Sequence, residues 1–268
     1  MTSTAPSWSE GTPAAERVLV LSPHPDDAVW SIGSLIADLA HGGAEVAVVS
    51  LFTAVDEHMS EAGNRWFKDS GFAGRSAATV RHEEDRRALE ILGARLIHIG
   101  LLDAVSRCPD RYFSPSSLAG QSATVDRRDP GPTQCNAAVQ NLLVELAPTT
   151  VLVPLGHGRH VDHQIVSATP VTGSRVLLYG DFPYTVLDPF VVGDRFVALQ
   201  ADKSAKTLWH TPSASAVRQH VQAAQAYSSQ VDAFFGSAAA LRTQLGRHLN
   251  HQGRKMIRLV QPSSSAPT

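Results

Sequence analysis

The stretch Arg17-Val18-Leu19-Val20-Leu21-Ser22-Pro23-His24-Pro25-Asp26-Asp27 decides how this chain folds. Residues 17–21 are a short valine and leucine run, the pattern of a strand buried on both faces. Ser22-Pro23 ends the run, and 30–40 reads as a helix closed by Gly42-Gly43. Residues 45–52 form a second apolar strand. Strand, helix and strand at these lengths make a βαβ unit, which implies a parallel sheet with a right-handed crossover.

The alternation continues outward from that unit. A charged amphipathic helix over 80–92 stops at Gly93, and 96–99 is the next strand. A helix over 136–146 leads to a strand at 150–155, and 176–179 is one more. Two helical stretches follow, 213–235 and 238–249. The fold class expected is α/β: a Rossmann-like open sheet, mostly parallel, flanked by helices. One domain spans 17–260, between a disordered segment 1–16 rich in Ser, Thr, Ala and Pro and a disordered tail 261–268. Residues 103–133 show little periodicity and are rich in Pro, Ser, Arg and Asp. A loop that long in a compact domain is usually a binding element or a lid.

Bulk properties exclude several classes. A net charge of -2 with mixed signs gives no polyanion-binding surface, so no nucleic-acid partner is expected. No run approaches the roughly 18 apolar residues of a membrane span. The N-terminus has neither a basic start nor an apolar core, so it is not a signal peptide, and the expected location is cytoplasmic. Cys108 and Cys135, far apart and outside any CxxC, make neither a disulfide framework nor a thiolate zinc site.

Two polar clusters fall at strand ends, where open α/β sheets bind their ligands. The first places His24, Asp26 and Asp27 within four positions. Ionised carboxylates beside a sheet are costly unless paired or metal-bound. Pro25 stiffens the turn, so His24 and Asp27 can share a cation while Asp26 faces the substrate side. The plainer alternative is that Asp26 or Asp27 caps the helix that follows. The second cluster, Gly156-His157-Gly158-Arg159-His160-Val161-Asp162-His163, follows the strand at 150–155. An aspartate beside a histidine suits metal sites, where carboxylates orient imidazoles through their second nitrogen. Gly156-His157-Gly158 lacks the third glycine of a dinucleotide fingerprint.

These motifs, in this order and each after a strand, resemble those of the LmbE-like family, also called the PIG-L deacetylases. Its members deacetylate N-acetylglucosaminyl conjugates in mycothiol, bacillithiol and glycosylphosphatidylinositol assembly, and others act on antibiotic precursors. The family pattern His-Pro-Asp-Asp-Glu is matched by His24-Pro25-Asp26-Asp27-Ala28, and His-x-Asp-His by His160-Val161-Asp162-His163. Arg81, Glu84, Ala88, Leu92 and Gly93 are similar to a family helix, and Asp103 to an acidic residue after the next strand. Tyr179, Pro183 and Tyr184 are similar to an aromatic segment, and Tyr227-Ser228-Ser229-Gln230 to a late helix.

The resemblance implies an LmbE-like fold and a metal, zinc or ferrous iron, held by His24, Asp27 and His163. It implies Asp26 as general base, His160 as general acid or oxyanion stabiliser oriented by Asp162, and Arg81 and Asp103 as substrate contacts. Ala28 departs from the pattern by replacing the usual glutamate. The implied reaction is hydrolysis of an N-acetyl or related N-acyl group on a small, sugar-containing substrate, with secondary metabolism as its setting. Three rivals stand beside it. A two-metal phosphoesterase needs more bridging carboxylates than these motifs supply. A non-catalytic metal protein has no use for Asp26. A serine hydrolase needs a Gly-x-Ser-x-Gly elbow, which is absent. His160 and His163 with exchanged roles also remains open. The exact substrate and the oligomeric state are not legible.

Overall fold

A computed structural model describes residues 16–54, 76–108, 112, 123–187, 189–191 and 194–262. Its strands are β1 (Arg17–Ser22), β2 (Glu45–Ser50), β3 (Arg95–His98), β4 (Thr150–Pro154), β5 (Arg175–Tyr179), β6 (Lys206–His210), β7 (Asn250–His251), β8 (Arg254–Lys255) and β9 (Ile257–Gln261). The helices are α1 (Asp27–His41), α2 (Ala77–Leu92), α3 (Ala104–Arg107), α4 (Gly131–Leu146), α5 (Val161–Ala168), α6 (Tyr184–Leu187), α7 (Asp194–Ala201), α8 (Ala214–Gln225), α9 (Ser228–Phe235) and α10 (Ala238–His248).

The main sheet has the order β3-β2-β1-β4-β5-β9-β6. β1 pairs in parallel with β2 on one side and β4 on the other, so the strand order reverses there. Alternation along β1 explains its double burial. Val18 and Val20 face a core shared with Leu35 and Ile36 of α1 and Ala88 and Leu92 of α2. Leu19 and Leu21 face a second core with Val139 of α4 and Ile165 and Val166 of α5. A parallel sheet covered on both faces requires this continuous apolar strand. None of the helices among the described residues is long and apolar enough to cross a membrane.

The expected helices and parallel strands are present, with ends shifted by a few residues. Three differences are larger. β6 and β9 were not read from the sequence; β9 runs antiparallel to β5 and to β6 and closes that edge. Gln261 therefore ends a strand, pairing with Lys206, instead of opening a tail. Glu16 is likewise buried, accepting a hydrogen bond from Thr150. The remaining parts of the two ends lie outside the described residues. The helix expected over 213–235 is broken at Tyr227, whose backbone leaves the helical region at φ −82°, ψ 57°. The break places the Tyr227 hydroxyl 2.6 Å from Asp85 and lets Ser228 and Ser229 donate to Glu84. The family-like helix and the late Tyr-Ser-Ser segment meet at that point. Of the 103–133 segment, α3 and the start of α4 are helical, while 109–111 and 113–122 lie outside the described residues.

α1 and α8 cross closely at Gly33, where an added Cβ would come within 2.6 Å of the His220 ring. Trp30 anchors the same face. It donates to the Ala224 carbonyl at 3.1 Å and meets Phe182, Tyr227, Phe234 and Phe235 edge-on.

Candidate active site

The reversal point between β1 and β4 is where an open α/β sheet offers its crevice. Both polar clusters open there. Ser22, at the end of β1, donates its hydroxyl to the His24 carbonyl at 2.6 Å and accepts from the Ala28 amide at 3.0 Å, closing the turn. The Ala28 methyl is buried in the α1 core, so the departure from the family glutamate is absorbed by packing. Asp26 sits at the N-cap of α1 with φ +98°, a conformation that side-chain-bearing residues rarely adopt. Its carboxylate makes no capping bond. The helix-cap reading of Asp26 is thereby removed. Arg81 braces the turn, donating to the Pro25 carbonyl at 3.1 Å with Asp26 Oδ2 at 3.6 Å. Arg81 thus touches the candidate base, and its Nε is buried without a hydrogen-bond partner among the described residues.

After β4 the chain makes one tight turn, His157–Arg159, and enters α5 with His160 as N-cap. Gly158 has φ +76°, and a Cβ there would meet the Tyr184 ring at 2.3 Å, so only glycine fits. The His24, His160 and His163 rings converge, with centroids 4.8 to 5.4 Å apart.

Carboxylates stand against both ring nitrogens of His24 and of His163. His24 Nε2 lies 3.0 Å from Asp162 Oδ2 and Nδ1 lies 3.1 Å from Asp27 Oδ2; in the neutral tautomer that donates Nε2–H to Asp162, Nδ1 is the lone pair. His163 Nδ1 donates to Asp181 Oδ1 at 2.7 Å, leaving Nε2 as a lone pair 3.1 Å from the same Asp27 oxygen. That Nε2 is buried and has no hydrogen-bond partner among the described residues. Two imidazole lone pairs and one carboxylate oxygen around an unsatisfied buried nitrogen fit a divalent metal. His160 differs. Its Nδ1 accepts the Asp162 amide N–H at 3.2 Å, so the neutral ring carries its proton on Nε2.

The nitrogens of His24, His160 and His163 lie within 4.8 Å of one another, as do donor atoms of His24, Asp103 and Asp162. Neither group contains Asp27, whose Oδ2 instead lies 3.1 Å from both His24 Nδ1 and His163 Nε2. The hydrogen bonds favour His24, Asp27 and His163, because a protonated Nε2 on His160 cannot coordinate.

Asp162 corrects the sequence-based expectation. Its carboxylate is turned to His24, not His160, and reaches His160 only through the backbone amide. Asp103 lies in the cluster with Oδ2 3.6 Å from His24 Nε2. The sequence reading missed Asp181 and Arg107. Asp181 follows β5 by two residues, so the strand-end rule that found the other clusters also points to it.

The charges separate the two adjacent aspartates. Burial pushes the Asp26 carboxyl well above the usual range; Arg81 opposes this and Asp27 adds to it. Burial also acts on Asp27, but His163 and His24 outweigh it and hold that carboxylate below the usual range. For His24, burial is overcome by Asp162 and Asp27, and its pKa is raised to about 9. His163 is raised in the same way, against burial, by Asp27 and Asp181. The space between them attracts positive charge. His160, under burial and beside His24, is pushed well below the usual imidazole range.

The profile of the PIG-L family, GlcNAc-PI de-N-acetylase, matches residues 19–171, which span both clusters. This chain belongs to the PIG-L family. As a family member it is a deacetylase, an enzyme that hydrolyses an amide bond. It is 28% identical over 229 residues to the 2'-N-acetylparomamine deacetylase of Streptomyces fradiae, covering 81% of this chain and 74% of that one. The zinc-inhibited form of teicoplanin deacetylase superposes with TM-score 0.73 at 25% identity, over 93% of this chain and all of that one (100%). The A40926 pseudoaglycone deacetylase shares the fold with TM-score 0.73 at 22% identity, over 92% of this chain and 96% of that one. The likeness drawn from the two motifs and the mostly parallel open sheet are both borne out.

Proposed function

We propose that this PIG-L family member removes an N-acetyl or related N-acyl group from an amino sugar of a glycosylated small molecule, using Zn2+ or Fe2+ held by His24 Nδ1, Asp27 and His163 Nε2. The observation that carries this reading is one oxygen, Asp27 Oδ2, lying 3.1 Å from both ring nitrogens. The opposite nitrogen of each ring is held by its own carboxylate. When bound, a divalent cation polarises an amide carbonyl and makes water a competent nucleophile near neutral pH.

The chain's own residues supply the proton movements. Asp26 is held out of its helix cap and takes a proton from the attacking water. It is then placed to return that proton to the departing amine, which leaves poorly as an anion. His160 donates Nε2–H to the oxygen that gains negative charge. Its hydrogen bond from Asp162 supports the oxyanion role over that of a general acid, because proton release from a neutral ring would leave an imidazolate. The products are a free amine and a carboxylate. Arg81 and Asp103 line this space as substrate contacts.

The amino-sugar substrate is supported by relatives named for an acetylated aminoglycoside and for glycopeptide antibiotics. A cytoplasmic step of secondary metabolism goes with this reading. The test is a panel of N-acetylated amino-sugar glycosides, with amine release read by fluorescamine and acetyl loss by mass spectrometry, before and after metal chelation. Chelator-sensitive release from at least one sugar is expected. Release that survives chelation overturns the metal reading, and hydrolysis only of non-sugar amides or esters overturns the substrate class.

A further inference from the structure

Besides Asp103, the segment between β3 and α4 sends Arg107 toward the candidate metal site. Arg107, at the end of α3, has a side chain only 2% exposed. Its Nη2 donates to Asp162 Oδ1 at 2.7 Å. Nε and Nη2 donate to the two oxygens of Asp129 at 2.6 and 3.0 Å, and Nη1 to the Leu102 carbonyl at 2.6 Å. The guanidinium lies over the Phe52 ring, 4.9 Å from its centroid. Asp129 is itself fixed by the Tyr112 hydroxyl and the Gly131 amide, each at 2.7 Å. On the far side, Asp162 Oδ2 accepts from the Ala104 amide and from His24 Nε2, each at 3.0 Å.

We propose that Arg107 is a positioning residue for metal binding, acting through Asp162 to hold the His24 Nδ1 lone pair toward Asp27. The inference rests on the metal reading of the site. A carboxylate orients an imidazole only if it is ionised and cannot rotate. Arg107 pins Oδ1, the Ala104 amide pins Oδ2, and the one direction left for Oδ2 is His24. Lysine could not replace this arrangement, since a planar fork must serve two carboxylates at once. A purely structural role is a weak account of it. Buried ion pairs seldom stabilise more than apolar packing of the same volume. Partners that orient a metal-binding histidine, by contrast, typically change metal affinity 10- to 100-fold, on the order of magnitude seen when they are removed.

The experiment is zinc binding to the metal-stripped full chain, by competition with a chromogenic chelator, alongside thermal unfolding of the metal-free protein. Arg107→Gln is expected to raise the zinc dissociation constant by about 10- to 100-fold. Val139→Ala, a cavity in the α4 core, lowers the melting temperature and leaves zinc affinity as in the wild type. In an Asp162→Asn background, Arg107→Gln should cause no further loss, because the route is already cut. Additive losses would show a merely structural role and overturn the proposal, as would wild-type zinc affinity in folded Arg107→Gln. If that variant does not fold, Arg107→Lys and Asp129→Asn carry the same expectation with smaller losses, and unchanged affinity in both overturns it. A wild-type chain that takes up no stoichiometric zinc instead overturns the metal reading itself.

Discussion

Asp181 Oδ1 lies 2.7 Å from His163 Nδ1, and both side chains are 1% exposed. The carboxylate comes from the loop after β5 and the imidazole from α5, so two strand ends meet in one hydrogen bond. That bond fixes the ring's tautomer and presents Nε2 to Asp27. Asp181→Asn keeps an acceptor but removes the charge. It is expected to weaken zinc binding by about 10- to 100-fold, measured by chelator competition. Unchanged affinity would show that Asp181 only fills space.

Asp26 and Asp27 are neighbours with opposite tasks, which their environments push apart. Asp26→Asn has the same shape and cannot accept a proton. The variant is expected to retain metal and to lose turnover by about 10²- to 10⁴-fold. Near wild-type turnover in a metal-replete variant would place the base elsewhere.

His160 and His163 lie 5.2 Å apart by ring centroid, and their hydrogen bonds assign them different roles. Metal content of His160→Ala and His163→Ala, measured side by side, separates them. His163→Ala should lose stoichiometric metal, as should Asp27→Ala, because a two-ligand site binds poorly. His160→Ala should keep its metal and lose turnover. A metal-free His160→Ala beside a metal-bound His163→Ala would reverse the assignment.

His220 gives a test of stability away from the site. It is fully buried between α1 and α8, with Nε2 3.1 Å from the Trp30 carbonyl and Nδ1 3.3 Å from Ser34 Oγ. Burial, aided by His248, lowers its pKa to about 3. The unfolded chain therefore binds a proton at this residue below about pH 6.5 that the folded chain refuses. Stability from the neutral ring is whole above pH 6.5 and falls with decreasing pH, by up to about 1.4 kcal/mol per unit, toward pH 3. Urea midpoints of metal-free protein between pH 7.5 and 5 should show a shallower decline in His220→Gln than in the wild type. Equal slopes would mean that His220 is protonated in the folded state.

Much of this molecule was legible in local pattern. The β1-α1-β2 unit rests on residue alternation and turn chemistry within about thirty positions, and His24, Asp26 and Asp27 fall inside four. A cation site split between two strand ends follows once both strands are placed in one parallel sheet. β6 and β9 were missed because their short runs matched no helix or hairpin signal. Their pairing, Lys206 with Gln261 through His210 with Ile257, joins segments far apart in the chain.

By itself the sequence determined the family, the sheet's parallel core and the two motif clusters at its reversal point, since those depend on spacing and strand burial. Only the tertiary structure decided which carboxylate serves which imidazole. Asp162 is two residues from His160, yet its side chain crosses to His24, 138 positions away, held there by the Ala104 amide and Arg107, while only its backbone amide serves His160. His163 takes its partner from the loop after β5, and Arg107 reaches in from α3. Side-chain direction at a helix start is set by capping and by what packs opposite, and neither is written in the order of the residues.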